Sequence, residues 1–246
     1  MEQAMPDLVI VNVAGPSTGT VGQSIRIFGT VKNQGTGMAD AFKTGLYLSK
    51  DMTITREDQR LATIDQWEMG PGDGNDFSKE VVLSTTIKAG TYYIGAIADV
   101  AGTVAESSEA NNSTAYAKPI KVVAPKADLL VQDISLTVDT ASVGDVVDVY
   151  TTIANHGQMT AGTFRVELYL SKDSSIKVSD IFLRGYDLKG LKAGAKIRTP
   201  TQVTIPKNVP PGEYYFGAIA DTSNTVNEGD EGNNAQSSIK TILITK

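Results

Sequence analysis

"GTYYIGAIAD", Gly90 to Asp99, and "GEYYFGAIAD", Gly212 to Asp221, decide how this chain folds. Each begins with a glycine and two tyrosines, continues through apolar residues and ends on an aspartate. Successive side chains of a strand point to opposite faces. Of each tyrosine pair, Tyr92 and Tyr93 or Tyr214 and Tyr215, one member therefore enters a core and the other faces outward. A tyrosine opening a late strand marks the corner of immunoglobulin-like sandwiches. Two copies imply two sandwiches.

The repeat extends outward from these decapeptides. "TVGQSIRIFGTVKNQG" (Thr20 to Gly35) answers to "SVGDVVDVYTTIANHG" (Ser142 to Gly157), and "LYLSKD" occurs at Leu46 to Asp51 and Leu168 to Asp173. From Thr20 onward the copies keep one spacing, that of Gly90 to Gly212. "DLVI" at Asp7 and "DLLV" at Asp128 are one residue closer, so a residue was gained in the first loop. A period this long means a duplicated domain rather than a solenoid unit. The expected division is 1–123 and 124–246, joined by the short, stiff "VVAPKADLL", where Pro125 pushes its predecessor toward extended conformations.

Within each unit the apolar period is two. Ile25 and Ile27 alternate with Arg26; Val147, Val149 and Thr151 share a face. Short runs recur about every ten residues with Gly, Asn and Pro between them, and no stretch has helical spacing. About seven strands per unit are expected, near residues 7–14, 23–33, 41–49, 60–67, 77–84, 91–99 and 113–123. The fold class is all-β: two tandem immunoglobulin-like sandwiches.

"VKNQGTGMADAF" and "IANHGQMTAGTF", the two "LYLSKD" segments and "GTYYIGAIAD" with its following "VAESSEANN" together resemble the CARDB domain, the cell-adhesion-related domain found in bacteria. The resemblance covers nearly the whole chain, twice. It implies an immunoglobulin-like sandwich in surface or secreted proteins and, through the family's label, adhesion. The expected role is a non-catalytic structural or adhesive segment whose partner is a surface protein or a polysaccharide; the alternatives are a carbohydrate-binding or accessory module of a secreted enzyme, or a calcium-stiffened spacer.

Bulk properties exclude several classes. The chain has 246 residues, 41% of them hydrophobic, and a net charge of -6. That charge argues against nucleic acid, whose binders carry a basic face. No apolar run approaches the ~18 residues of a membrane helix. The opening "MEQAMPDL" lacks the basic and apolar regions of a signal peptide. With strand-like text near both ends, the chain reads as a trimmed piece of an extracellular or cell-surface protein. There is no cysteine and one histidine, His156, standing where the first copy has Gln34. Zinc and thiol chemistry are thereby excluded or nearly so. No "GxSxG", P-loop or complete dinucleotide loop is present. Glu106 and Glu109 share one short loop with no cleft between them, unlike a glycosidase pair. No catalytic residue is assigned.

Two polar loops recur. "VAESSEANN" (Val104 to Asn112) returns as "VNEGDEGNN" (Val226 to Asn234). One reading is structural: Asn and Asp bond their own backbone in turns, and Glu106 and Glu109 accept loop N–H groups. The other is calcium, which takes six to eight oxygens. Asp99, Glu106, Glu109 and Asn111, with Asp221, Glu228, Glu231 and Asn233, would supply them. The loops after "LYLS" add Asp51 and Asp58, repeated as Asp173 and Asp180. These loops follow the third strand and the knots join the last two, which places them at different ends of the sandwich and disfavours one shared site. Trp67, facing Lys189 in the second copy, is a candidate for sugar stacking or a protein contact.

Overall fold

The computed structural model describes residues 3–246. It contains two compact units, Met1–Ala124 and Pro125–Lys246. Each is a two-sheet β-sandwich, and the described residues include no helix and hence none long and apolar enough to cross a membrane.

The first unit comprises β1 (Leu8–Ala14), β2 (Thr18–Thr20), β3 (Ser24–Asn33), β4 (Phe42–Ser49), β5 (Gln59–Gln66), β6 (Gly74–Val82), β7 (Gly90–Ile97), β8 (Ser113–Ala115) and β9 (Ile120–Val123). One sheet is ordered β1-β3-β6. The other runs β2-β9-β7-β4-β5, with β8 also paired to β7. The second unit has β10 (Leu129–Leu136), β11 (Thr140–Ser142), β12 (Val146–Asn155), β13 (Phe164–Ser171), β14 (Ile181–Leu188), β15 (Lys196–Thr204), β16 (Gly212–Ala220) and β17 (Ala235–Thr245). Its sheets are β10-β12-β15 and β11-β17-β16-β13-β14. Pairing is antiparallel except at β2 with β9 and β11 with β17, which are parallel.

Alternation builds the cores. Along β3, Ile25, Ile27 and Val31 are buried while Arg26, Phe28 and Lys32 face outward; along β12, Val147, Val149 and Thr151 are buried. Leu8, Ile27, Leu46, Ile94 and Ile120 lose all contact with solvent. Each such side chain contributes about 1.5–3 kcal/mol by leaving water. A β-bulge between Ile10 and Asn12 returns between Val131 and Asp133.

Three departures from the expected strands have local causes. The short β2 and β11 were not expected, because three residues rich in Gly, Ala and Thr give no readable period. β6 starts at Gly74, three residues before the apolar pattern does. The expected strand over 113–123 is broken between Ala115 and Ile120, where Pro119 has no N–H for the ladder. The second copy has Thr241 there, and β17 continues through.

Alternation also left open which tyrosine points inward. It is the first of each pair. Tyr92 and Tyr214 are buried, and their hydroxyls donate to the Lys88 and Pro210 carbonyls at 2.9 and 2.8 Å. The lysines of the two "LYLSKD" segments cover these rings: Lys50 Nζ lies 3.4 Å from the Tyr92 centroid and Lys172 Nζ 3.5 Å from that of Tyr214.

Candidate functional site

Asn33 ends β3 and is fully buried. Its Oδ1 accepts the N–H groups of Asp7 (3.1 Å) and Gly35 (3.0 Å); its Nδ2 donates to the carbonyls of Gly37 (2.8 Å) and Met69 (2.9 Å). Every hydrogen-bonding position of the amide is used. Asn155 repeats all four bonds, to Asp128, Gly157, Met159 and Leu191. This asparagine fixes the loop after β3 and presents the start of the first strand to the "VAESSEANN" loop.

That loop begins at Asp99, fully buried with φ of 37°, a left-handed conformation. Asp tolerates it because its side chain bonds locally. The Asp99 carboxylate accepts the Thr103 hydroxyl at 3.0 Å and the Val104 N–H at 2.7 Å. Asp221, at φ 47°, accepts the equivalent groups of Thr225 and Val226.

Glu106 then crosses to the other end of the unit's sequence. One carboxylate oxygen accepts the Leu8 N–H, the first amide of β1, and the other accepts Asn112 Nδ2 at 2.8 Å. Ser107 N–H donates to the Pro6 carbonyl at 2.8 Å, and Asn111 Nδ2 donates to the Asp7 carboxylate at 2.9 Å. The second unit matches each contact: Glu228 accepts from Leu129 N–H and Asn234, Gly229 N–H donates to the Ala127 carbonyl, and Asn233 donates to Asp128. The repeated loop is thus a clasp that closes its unit by holding the first strand. Burial pushes the Glu106 and Glu228 carboxyls above the usual carboxylate range, outweighing the downward pull of the Leu8 or Leu129 N–H and the asparagine amide.

The remaining candidates lie in separate settings. Glu109 is exposed at the rim of a small pocket of about 220 Å³ that Asn112 also lines. Glu231 accepts the Glu228 N–H at 2.9 Å. Asp51 and Asp173 accept the N–H groups of Thr53 and Ser175, two residues on, and Asp58 and Asp180 accept those of Thr55 and Lys177, three residues back, all at 2.8 Å. Among the described residues, no group of three or more His, Cys, Asp and Glu side chains is placed to hold a metal ion.

The expected separation of the two loops needs correction. β4 ends where Ser49 pairs with Tyr93, at the far end of β7 from Asp99. The following loop does not stay there. Ile54 lies so close over Gly95 that a Cβ on that glycine would come within 2.2 Å of it. Arg56 reaches the Asp99 carbonyl at 3.3 Å, and Thr55 and Arg56 share the small pocket with Glu109 and Asn112. The loop thus climbs the outer face of β7, using the only side chain small enough to let it pass. Ile176 over Gly217 repeats this packing.

Trp67 follows β5, is 84% exposed and borders a groove of about 560 Å³. His156 is exposed; its N–H, like that of Gln34, donates to the aspartate opening the first strand, here Asp128. The sequence reading missed Asn33, Asn155, Asp7 and Asp128. Their signal was present, since an asparagine closes the third apolar run and an aspartate opens the first in both copies.

The CARDB family model matches residues 5–116 and 126–238. Similar solved structures include the CARDB domain of a Pyrococcus furiosus protein in complex with di-metal ions. It is 22% identical, covering 50% of this chain and 99% of that one, with a TM-score of 0.38. A domain described as part of a cell surface protein of Methanosarcina acetivorans is 21% identical over 49% of this chain and 94% of its own, with a TM-score of 0.36. A β-glucosidase of Erythrobacter marinus is 16% identical over 48% of this chain and 16% of its own, at 0.34. Comparison with curated protein sequences finds no match. With both repeats matched over nearly their full length, the chain belongs to the CARDB family and carries two of its domains in tandem.

Proposed function

We propose that the chain is a non-catalytic structural and adhesive segment of a cell-surface or secreted protein, one that holds a surface protein or polysaccharide while resisting tension. The parallel pairing of β2 with β9 carries this reading. Thr18, Gly19 and Thr20 lie beside Lys121, Val122 and Val123. Chain enters the unit through β1, turns directly into β2 and leaves through β9, so tension transmitted past β1 meets the β2–β9 pair. Pulling the two ends apart drags these neighbours in opposite directions along their axes. Their bonds, among them Lys121 N–H to Ser17 O at 2.9 Å and Val21 N–H to Val123 O at 3.0 Å, are then loaded together and not one at a time. β11 and β17 repeat the arrangement. The clasp adds a second tie by holding Leu8 and Pro6.

Single-molecule stretching of the full chain tests this. Two unfolding events are expected, each releasing about 400 Å of chain, at roughly 3.3–3.6 Å per extended residue. Lys121→Pro, which deletes the N–H given to Ser17, should lower the first unit's rupture force and leave the second unchanged. Equal forces before and after substitution would contradict the reading.

A calcium-stiffened form of the same spacer draws on one observation. The side-chain oxygens of Asn111, Asn112, Asn233 and Asn234 are buried without a hydrogen-bond partner. One water at each would also satisfy them.

A further inference from the structure

We propose that the outer face of β4 and β5 in the first unit binds a neutral polysaccharide, with one pyranose ring stacked on Trp67. This deepens the proposed adhesive role by naming a site and a ligand class.

Four side chains share that face. Lys43 and Asp65 are cross-strand partners, and the adjacent pair, Phe42 with Gln66, turns inward and is buried. Continuing the register by one residue sets Ala41 opposite Trp67. Ala101 and Thr103, from the loop after β7, wall the groove of about 560 Å³. Its floor is thus an indole and a methyl group, and its rim carries one cation and one anion. Lys43 and Asp65 form an ion pair and remain 53% and 83% exposed at the side chain.

This chemistry suits a sugar better than a protein or an acidic polymer. The C–H face of an equatorial pyranose is apolar and flat, matching an exposed indole, while its hydroxyls project sideways and need donors and acceptors at the edge. The ammonium of Lys43 supplies donors and the carboxylate of Asp65 acceptors. The pair is locally neutral, so a charged polymer gains nothing from it. A protein hot spot would place the indole among large, exposed apolar neighbours that exclude water; here the exposed flanks are alanines and open charges, and the one large apolar neighbour, Phe42, is turned into the core.

The second copy shows that the fold does not require this indole. Phe164, the Arg165–Asp187 ion pair and Thr225 repeat the frame, yet Trp67 becomes Lys189. The site is therefore assigned to the first unit alone.

Trp67 is the only tryptophan, so its emission reports on this face in the full chain. Titration with cellohexaose and with chitohexaose should give a saturable emission change for at least one. Asp65→Ala keeps the fluorophore and should weaken that binding by about tenfold, as for a lost charge-assisted hydrogen bond. Trp67→Lys should abolish the binding heat in calorimetry without moving the melting temperature. No saturable change with either hexaose would overturn the proposal, as would retained binding by Trp67→Lys. An emission change that follows protein concentration and ignores sugar would assign the face to self-association and equally overturn it. Stretching of the chain does not depend on the sugar, so failure here leaves the mechanical test standing.

Discussion

The clasp and the Trp67 face differ in how they pass from one copy to the other. The second unit repeats every side-chain bond that Asn33 and Glu106 make, through Asn155 and Glu228. Around Trp67 it keeps the ion pair and loses the indole. A third region diverges further. Tyr116 packs partly buried against the first core, while its counterpart Ser238 borders a groove of about 660 Å³ between the Asp133–Thr140 and Ser238–Thr241 segments. Buried polar groups tolerate little change, because an unpaired donor or acceptor out of water costs about 1–3 kcal/mol. Exposed side chains carry no such constraint. The repeated knot belongs to the fold, and the units diverge away from it.

The sharpest break of this comparison should come from the tyrosines. Tyr92→Ala and Tyr214→Ala should each cost ~3–5 kcal/mol, the range for a large aromatic in a core. Tyr93→Ala and Tyr215→Ala should cost less than ~1 kcal/mol. Denaturant unfolding measures both; equal small losses would remove the corner from the core.

Next comes the asparagine hub. Asn33→Asp replaces two donors by an acceptor facing the Gly37 and Met69 carbonyls, and should destabilise the first unit by at least ~3 kcal/mol. Asn155→Asp should do the same to the second. Asn112→Ala and Asn234→Ala, which release one amide bond to the clasp glutamate, should cost ~1–2 kcal/mol. If the hub and the clasp asparagine prove equally costly, the hub does not organise the loop.

A smaller effect should appear with pH. A carboxyl raised on folding binds its proton more tightly in the folded state. Its contribution to stability is therefore greatest below the ordinary glutamate value of ~4.3 and is lost as pH rises through the higher folded value. The difference in stability between the parent and Glu106→Gln should vary across that window and be flat above it. The smallest expected effect is that of calcium. A site with a dissociation constant of ~0.1–1 mM, usual for an extracellular module, would give ~1.4–2.7 kcal/mol per unit at ~10 mM calcium. We expect melting in calcium and in chelator to agree within about a degree, because Glu106 is already engaged by Leu8 and Asn112. A selective shift of several degrees, removed by Glu106→Gln, would make the loop a metal site.

Much of this fold was legible. The two "YY" pairs, the period of two and the long repeat lead directly to two sandwiches. The break before β9 was missed, since the expected strand ran through 113–123, although Pro119 marks it. What could not be read was the partner of Glu106. The sequence shows a glutamate in a polar turn, and the local backbone N–H groups are its obvious donors; the amide it accepts is that of Leu8, at the opposite end of the unit. The climb of the loop after β4 was hidden for the same reason. It depends on Gly95 lying beneath Ile54, a contact set by tertiary packing, with only a missing side chain to mark it.

The Leu8 amide proton reports on the clasp most directly. Followed by NMR through a pH titration, the amide resonances of Leu8 and Leu129 should move with a carboxyl titrating above the ordinary glutamate range, and both should be protected from exchange at neutral pH. Glu106→Gln should erase the titration at Leu8 and leave it at Leu129. Amides that exchange freely, or that do not respond to the titration of Glu106 and Glu228, would contradict the clasp.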